Sequence, residues 1–88
     1  MPHHTHPDVI KRLKRADGHL QTIIEMTEQG RSCVELAQQL EAVERAIENA
    51  KKALIHDHIE QCLERANAAS GSRARAAVRE LKAIAKYL

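Results

Sequence analysis

The stretch HDHIEQC, residues 56–62, sets two histidines and a cysteine into a segment that otherwise reads as ordinary helix. As helix, it places His58 and Cys62 at i and i+4, one above the other on a single face. An imidazole and a thiolate at that spacing can grip one transition-metal ion. The other cysteine is Cys33, twenty-five residues before His58. At about 100° per residue, His58 and Cys62 fall about 20° to either side of Cys33 around a continuous helix, so the three share a face. The helical rise nevertheless separates Cys33 from His58 by roughly 37 Å, too far for one ion to touch both in a single chain. Two such helices packed antiparallel about a twofold axis near Ala46 and Ile47 would bring Cys33 of one chain to His58 and Cys62 of the other, twice per dimer. Ala42, Ala46, Ala50 and Ala53 permit close approach near that axis. A lone cysteine on an apolar face is most often a small buried hydrophobe. Three ligand-type residues on one face at symmetry-compatible spacing point instead to a shared metal site.

The elements that must position these residues follow from periodicity and punctuation. The leader MPHHTH, residues 1–6, carries three of the six histidines, and Pro7 suits the first position of a helix. Ile10, Leu13, Leu20 and Ile24 keep heptad spacing through Glu28, with Asp17 at one inward-looking position, and Gly30 supplies the stop. SCVE, residues 32–35, is a capping box that opens a second helix, which sets Cys33 at the positive end of the helix dipole, where a thiolate is favoured. From Cys33 to about Ala66 there is neither Gly nor Pro, while Leu36, Leu40, Val43, Ile47, Ala50 and Leu54 keep one stripe. The spacing predicts a single helix of roughly 33 residues, well above the common length. NAASGS, residues 67–72, breaks it, and a third helix is expected from about Arg73 to Tyr87 with Val78, Leu81, Ile84 and Leu88 on its buried side.

Composition agrees with an all-α fold. The chain has 88 residues, no Trp or Phe and one Tyr, so the core of this single domain, residues 1–88 with 1–6 as a leader, must be aliphatic and is most readily built by helix packing. A chain this short buries only about 60 to 65% of its unfolded surface, and its long apolar stripe favours oligomerisation. No apolar run approaches the roughly 20 residues of a membrane span. Two cysteines without a signal peptide lead us to expect a soluble cytoplasmic protein without disulfides. No base is paired with a nucleophile, so no enzymatic activity is expected.

Cys33, His58 and Cys62 in this spacing, with RLKRADGHL (residues 12–20) and QQLEAVERAI (residues 38–47) flanking them in register, resemble the CsoR/RcnR family of bacterial metal-sensing repressors. The resemblance covers nearly the whole chain. It implies a three-helix subunit, an antiparallel dimer forming a four-helix bundle, and a dimer of dimers that holds operator DNA until metal binds between subunits. In the copper-sensing branch the ligands correspond to Cys33 of one chain and to His58 and Cys62 of its neighbour. Of that branch's two supporting residues, the tyrosine position holds Ser32, and the glutamate corresponds to Glu80 when the 67–72 loop carries a two-residue insertion.

Nickel and cobalt sensors of the family add an N-terminal histidine, and the leader resembles theirs, offering His3, with His4 or His6 as alternatives. Three soft ligands suit Cu(I), whereas a fourth nitrogen makes an S2N2 set that Ni(II) accepts in a square plane. The expected inducer is therefore Ni(II) or Co(II), with Cu(I) the alternative. On the DNA side no helix-turn-helix pattern is present. Lys11, Arg12, Lys14 and Arg15 form a basic patch on the first helix, which Arg45, Lys51 and Lys52 extend along the second, suited to phosphate contacts and duplex shape. Two other readings stay open. One is a metal-binding protein without a DNA role. The other is a repressor answering to formaldehyde, since Pro2 with Cys33 resembles the arrangement in formaldehyde-sensing relatives, although Cys62 adds a metal ligand that those lack, or to sulfur species, whose sensors in the family lack the histidine present here as His58.

Overall fold

A computed structural model describes residues 6–88 and contains three helices, α1 (Pro7–Glu28), α2 (Cys33–Ala68) and α3 (Ser72–Ala85), with no strand among the described residues. The chain divides into two compact units, one ending at Lys51 and one running from Lys52 to Leu88, so α2 contributes to both.

In the first unit the helix ends follow the punctuation in the sequence. Pro7 occupies the first turn of α1, where its missing N–H costs nothing, and the His6 carbonyl accepts the Ile10 N–H at 3.0 Å. At the other end the Gly30 N–H donates to the Thr27 carbonyl and the Arg31 N–H to the Met26 carbonyl, each at 3.1 Å. This is the Schellman closure, and it needs the left-handed backbone that Gly30 adopts at φ 73°. Ser32 Oγ then accepts the Glu35 N–H at 3.2 Å, which caps α2 just ahead of Cys33. Glu35 does not complete a reciprocal box; its carboxylate turns to Arg31 at 2.7 Å.

The buried face of α1 is Val9, Ala16 and Ile23, at seven-residue spacing. The expected stripe lies one residue further on: Ile10, Leu13, Leu20 and Ile24 are 43, 47, 40 and 48% exposed, and Asp17 is exposed as well. Heptad spacing sets the period of an apolar face, whereas its phase depends on which neighbour covers it. In α2 the unit buries Val43, and His19 Nε2 meets Gln39 Oε1 at 2.6 Å to tie α1 to α2. Leu40 and Ile47 of the expected α2 stripe stay 44 and 47% exposed.

The second unit pairs the rest of α2 with α3. Helix α2 runs two residues past Ala66, ending before Gly71, which takes φ 63° in the turn to α3. Ile55, Cys62 and Ala77 are buried. Leu81 and Ile84 are half-buried as the periodicity requires, but Val78 is exposed, and Leu88 is exposed because α3 ends at Ala85, short of the expected Tyr87.

Candidate metal centre

Within the second unit, the last three turns of α2 and the middle of α3 converge on one cluster. The i, i+4 spacing stacks His58 over Cys62 as the sequence requires, and α3 brings Glu80 against them. One ligand atom from each of His58, Cys62 and Glu80 lies within 4.8 Å of the others. Cys62 is 1% exposed, so its sulfur is held by packing rather than free to rotate in water. Its thiol stands 3.8 Å from Glu80 Oε2, and His58 Nε2 stands 3.9 Å from the same oxygen. A nitrogen, a sulfur and a carboxylate oxygen make a donor set suited to a divalent transition ion, and the His–Cys part suits Cu(I) as well. His58 and Glu80 also line an open cleft of about 250 Å³ completed by Ala83, Ile84 and Tyr87, which gives the cluster a route to solvent.

A residue that the sequence reading passed over sits in this cluster. Arg65 Nη2 donates to Cys62 Sγ at 3.4 Å and to Glu80 Oε2 at 2.5 Å. The hydrogen bond to Glu80 raises the guanidinium's pKa above its ordinary value, with the Cys62 contact adding to this and partial desolvation opposing it, so Arg65 is a permanent cation here. The signal was available: Arg65 follows Cys62 by three residues, the spacing that places two side chains on one helix face.

The other site candidates are placed as follows. Cys33 is exposed at the start of α2, in the first unit, and is not a member of the His58 cluster. His3 and His4 lie outside the described residues; His6 immediately precedes α1 with a left-handed φ of 49°. A second group, His56, Asp57 and Glu60, also brings ligand atoms within 4.8 Å, on a more exposed face of α2. Lys11, Arg12, Lys14, Arg15, Arg45, Lys51 and Lys52 are all exposed. Three of them are partly neutralised along their own helix, Arg12 by Asp8 at 2.9 Å, Arg45 by Glu41 at 3.0 Å and Lys51 by Glu48 at 3.3 Å. Lys11, Lys14, Arg15 and Lys52 have no ion-pair partner among the described residues.

Three helices with a very long middle one, and a His–Cys pair on it that meets a carboxylate of the third, make a small all-helical protein with a donor set of transition-metal type. The chain belongs to the metal-sensitive transcriptional repressor family, whose profile it matches over residues 5–87. It is 38% identical over 78 residues to the copper-sensing transcriptional repressor CsoR of Mycobacterium ulcerans, an alignment covering 89% of this chain and 65% of that protein. To the copper-sensing repressor CsoR of Bacillus subtilis it is 36% identical over 55 residues, or 62% of this chain and 54% of that one. The chain thus spans less than two thirds of the length of these curated relatives. Among solved structures, the nickel-responsive transcriptional regulator InrS superposes with a TM-score of 0.80 at 27% identity, covering 100% of this chain and 98% of that one. Among the described residues, no helix is long and apolar enough to cross a membrane.

Proposed function

We propose that this chain is a metal-responsive repressor that binds operator DNA without metal and is released from it by Ni(II) or Co(II). The observation that carries this reading is the convergence of His58, Cys62 and Glu80 within 4.8 Å, with Cys62 buried, in a chain of this family. The bound ion supplies a fixed positive charge with directional bonds. Everything else is done by the chain: His58 and Cys62 bind from one face of α2, Glu80 links them to α3, and Cys33 of a second subunit completes the set. His3, or else His4 or His6, adds the nitrogen that distinguishes Ni(II) and Co(II) from Cu(I). Glu80 serves either as a ligand or as the carboxylate that orients His58.

The same reading includes one domain per chain and a homodimer whose antiparallel α2 helices form a four-helix bundle, assembled into a homotetramer in the cytoplasm. The half-exposed apolar side chains Leu13, Ile24, Leu40 and Ile47 support it, since a subunit that small gains by covering them. It is not an enzyme in this reading. Cu(I) as the inducer is the second reading, favoured by the copper-sensing relatives and by the sufficiency of Cys33, His58 and Cys62 as a three-ligand soft site.

Anaerobic titration with Ni(II), Co(II), Cu(I) and Zn(II) while operator affinity is followed tests the proposal. A coupling of about 1 to 3 kcal/mol, or about 5- to 150-fold loss of operator affinity, is expected for the inducing ion. Deleting residues 3–6 separates the two readings. It should weaken the Ni(II) response about tenfold or more by removing a ligand, and leave the Cu(I) response nearly unchanged. If both responses survive the deletion intact, the copper reading replaces the nickel one.

The basic face supplies the DNA contacts in this proposal. Arg15→Ala should weaken operator binding and lower the slope of log affinity against log salt by about one, with metal affinity unchanged. Arg12→Ala should act in the same direction but less, because Asp8 already neutralises part of that charge. Unaltered binding in the Arg15 variant would place the DNA face elsewhere.

A further inference from the structure

The contact between Arg65 and the metal cluster is not required by anything in the proposed function, and its geometry is unusual for a ligand set. A metal site needs its sulfur and oxygen lone pairs available. Here one guanidinium nitrogen, Arg65 Nη2, donates to one atom of each group, at 3.4 Å from Cys62 Sγ and 2.5 Å from Glu80 Oε2, and so stands on the side where the two face each other. Those two acceptors are themselves 3.8 Å apart, so any cation touching both would crowd the guanidinium. All the groups belong to the second unit, so the arrangement is a property of one compact body.

We infer that Arg65 holds the place of the cation in the metal-free chain, and that metal binds only by displacing its guanidinium from Cys62 and Glu80. The inference rests on the reading of His58 and Cys62 as metal ligands. Displacement is mechanically simple. The Arg65 side chain is 36% exposed and stands on the same helix as Cys62, so a change of rotamer carries the charged end to water without moving α2. Coordination through the Cys62 sulfur would require the thiol proton to leave to solvent and the Arg65 guanidinium to leave the sulfur and Glu80 at the same time. The same motion removes the ion pair between Arg65 and Glu80, which links the C-terminal part of α2 to α3. Metal entry would then trade one α2–α3 link for another, and Arg65 is a positioning residue that sets how readily this happens.

A purely structural role for Arg65 predicts the opposite sign. If the guanidinium only braced α2 against α3, its loss would loosen the cluster and weaken metal binding. If it holds the cation's place, its loss should strengthen binding, because the apparent affinity of a site is reduced by the fraction of chains in which it is open. An open fraction of about a tenth corresponds to about a tenfold weakening, which a variant without the competitor recovers.

The test is competition titration of Co(II) and Zn(II) against a chelator, without DNA, for the unaltered protein, Arg65→Gln and Arg65→Lys, with far-ultraviolet circular dichroism to confirm the helices. About tenfold tighter binding is expected in Arg65→Gln. Arg65→Lys should fall between, since an ammonium keeps the charge but lacks the planar fork. In the unaltered protein, one equivalent of Zn(II) per subunit should move the Arg65 guanidinium nitrogen resonances to those of a solvated arginine. Unchanged or weaker affinity in Arg65→Gln, with the Co(II)–thiolate absorption band intact, would overturn the displacement while leaving the metal site standing. Absence of that band in the unaltered protein would overturn the site itself, and the displacement with it. Arg65 resonances that stay in place at saturating Zn(II) would also overturn it.

Discussion

Cys62→Ala is expected to abolish operator release by metal while leaving operator binding in its absence almost unchanged, the largest single effect this structure predicts. The sulfur is the one donor of the cluster that is fully packed away from water, at 1% exposure, so no solvent ligand can take its position without repacking. Changes to residues that merely orient a ligand cost about 10- to 100-fold in metal affinity. Loss of the ligand itself should cost at least the upper end of that range, about a hundredfold or more. The fold should tolerate the change, because Ala is smaller, favours helix and removes no hydrogen bond on which the backbone depends. Leaving Arg65 without its sulfur contact is also mild, since Glu80 still accepts from the same nitrogen. Operator affinity measured without oxygen, with and without Ni(II) and Cu(I), is the check. A Cys62→Ala protein that still lets go of the operator at ordinary metal concentrations would mean that the sensing site lies elsewhere, with His56, Asp57 and Glu60 the next cluster to examine.

Much of this site is legible in the sequence. The pairing of His58 with Cys62 follows from helical spacing alone, and both ends of α1 and the start of α2 follow from Pro7, Gly30 and Ser32, residues whose backbone or side-chain chemistry acts locally. What periodicity left undetermined was phase. Ile10, Leu13, Leu20 and Ile24 repeat as regularly as Val9, Ala16 and Ile23, and only packing decides which set is covered within the chain. The end of α3 was overrun for a related reason: nothing in Lys86, Tyr87 and Leu88 forbids helix, so the boundary at Ala85 carries no sequence signal. Glu80 needed a family register to be noticed at all, because it approaches from a different helix. Arg65 was overlooked despite its spacing because an arginine near a thiolate reads first as solvated charge.

Chains carrying Cys33→Ala and chains carrying Cys62→Ala are each expected to lose tight metal binding alone and to recover part of it when paired. The reasoning begins with the helix. Cys33 opens α2 and is exposed, whereas Cys62 lies near its far end and is buried. The twenty-five helical steps from Cys33 to His58 correspond to a rise of roughly 37 Å, which no single ion bridges. A ligand set that includes all three residues therefore requires two subunits. In a heterodimer of the two variants, one site combines the intact Cys33 of one chain with the intact His58 and Cys62 of the other. The second site carries both substitutions. A heterodimer purified through two different affinity tags should thus bind one ion as tightly as the unaltered protein and the other about a hundredfold or more weakly, by the same loss of ligands. Either homodimer should show no tight site. The Co(II)–thiolate band offers an independent reading, since its intensity follows the number of coordinated sulfurs and should reach the unaltered level at one site per heterodimer. Tight binding absent from the heterodimer would exclude ligands shared between antiparallel α2 helices. Tight binding already present in the Cys33→Ala homodimer would show that His58, Cys62 and Glu80 suffice and that Cys33 serves another purpose.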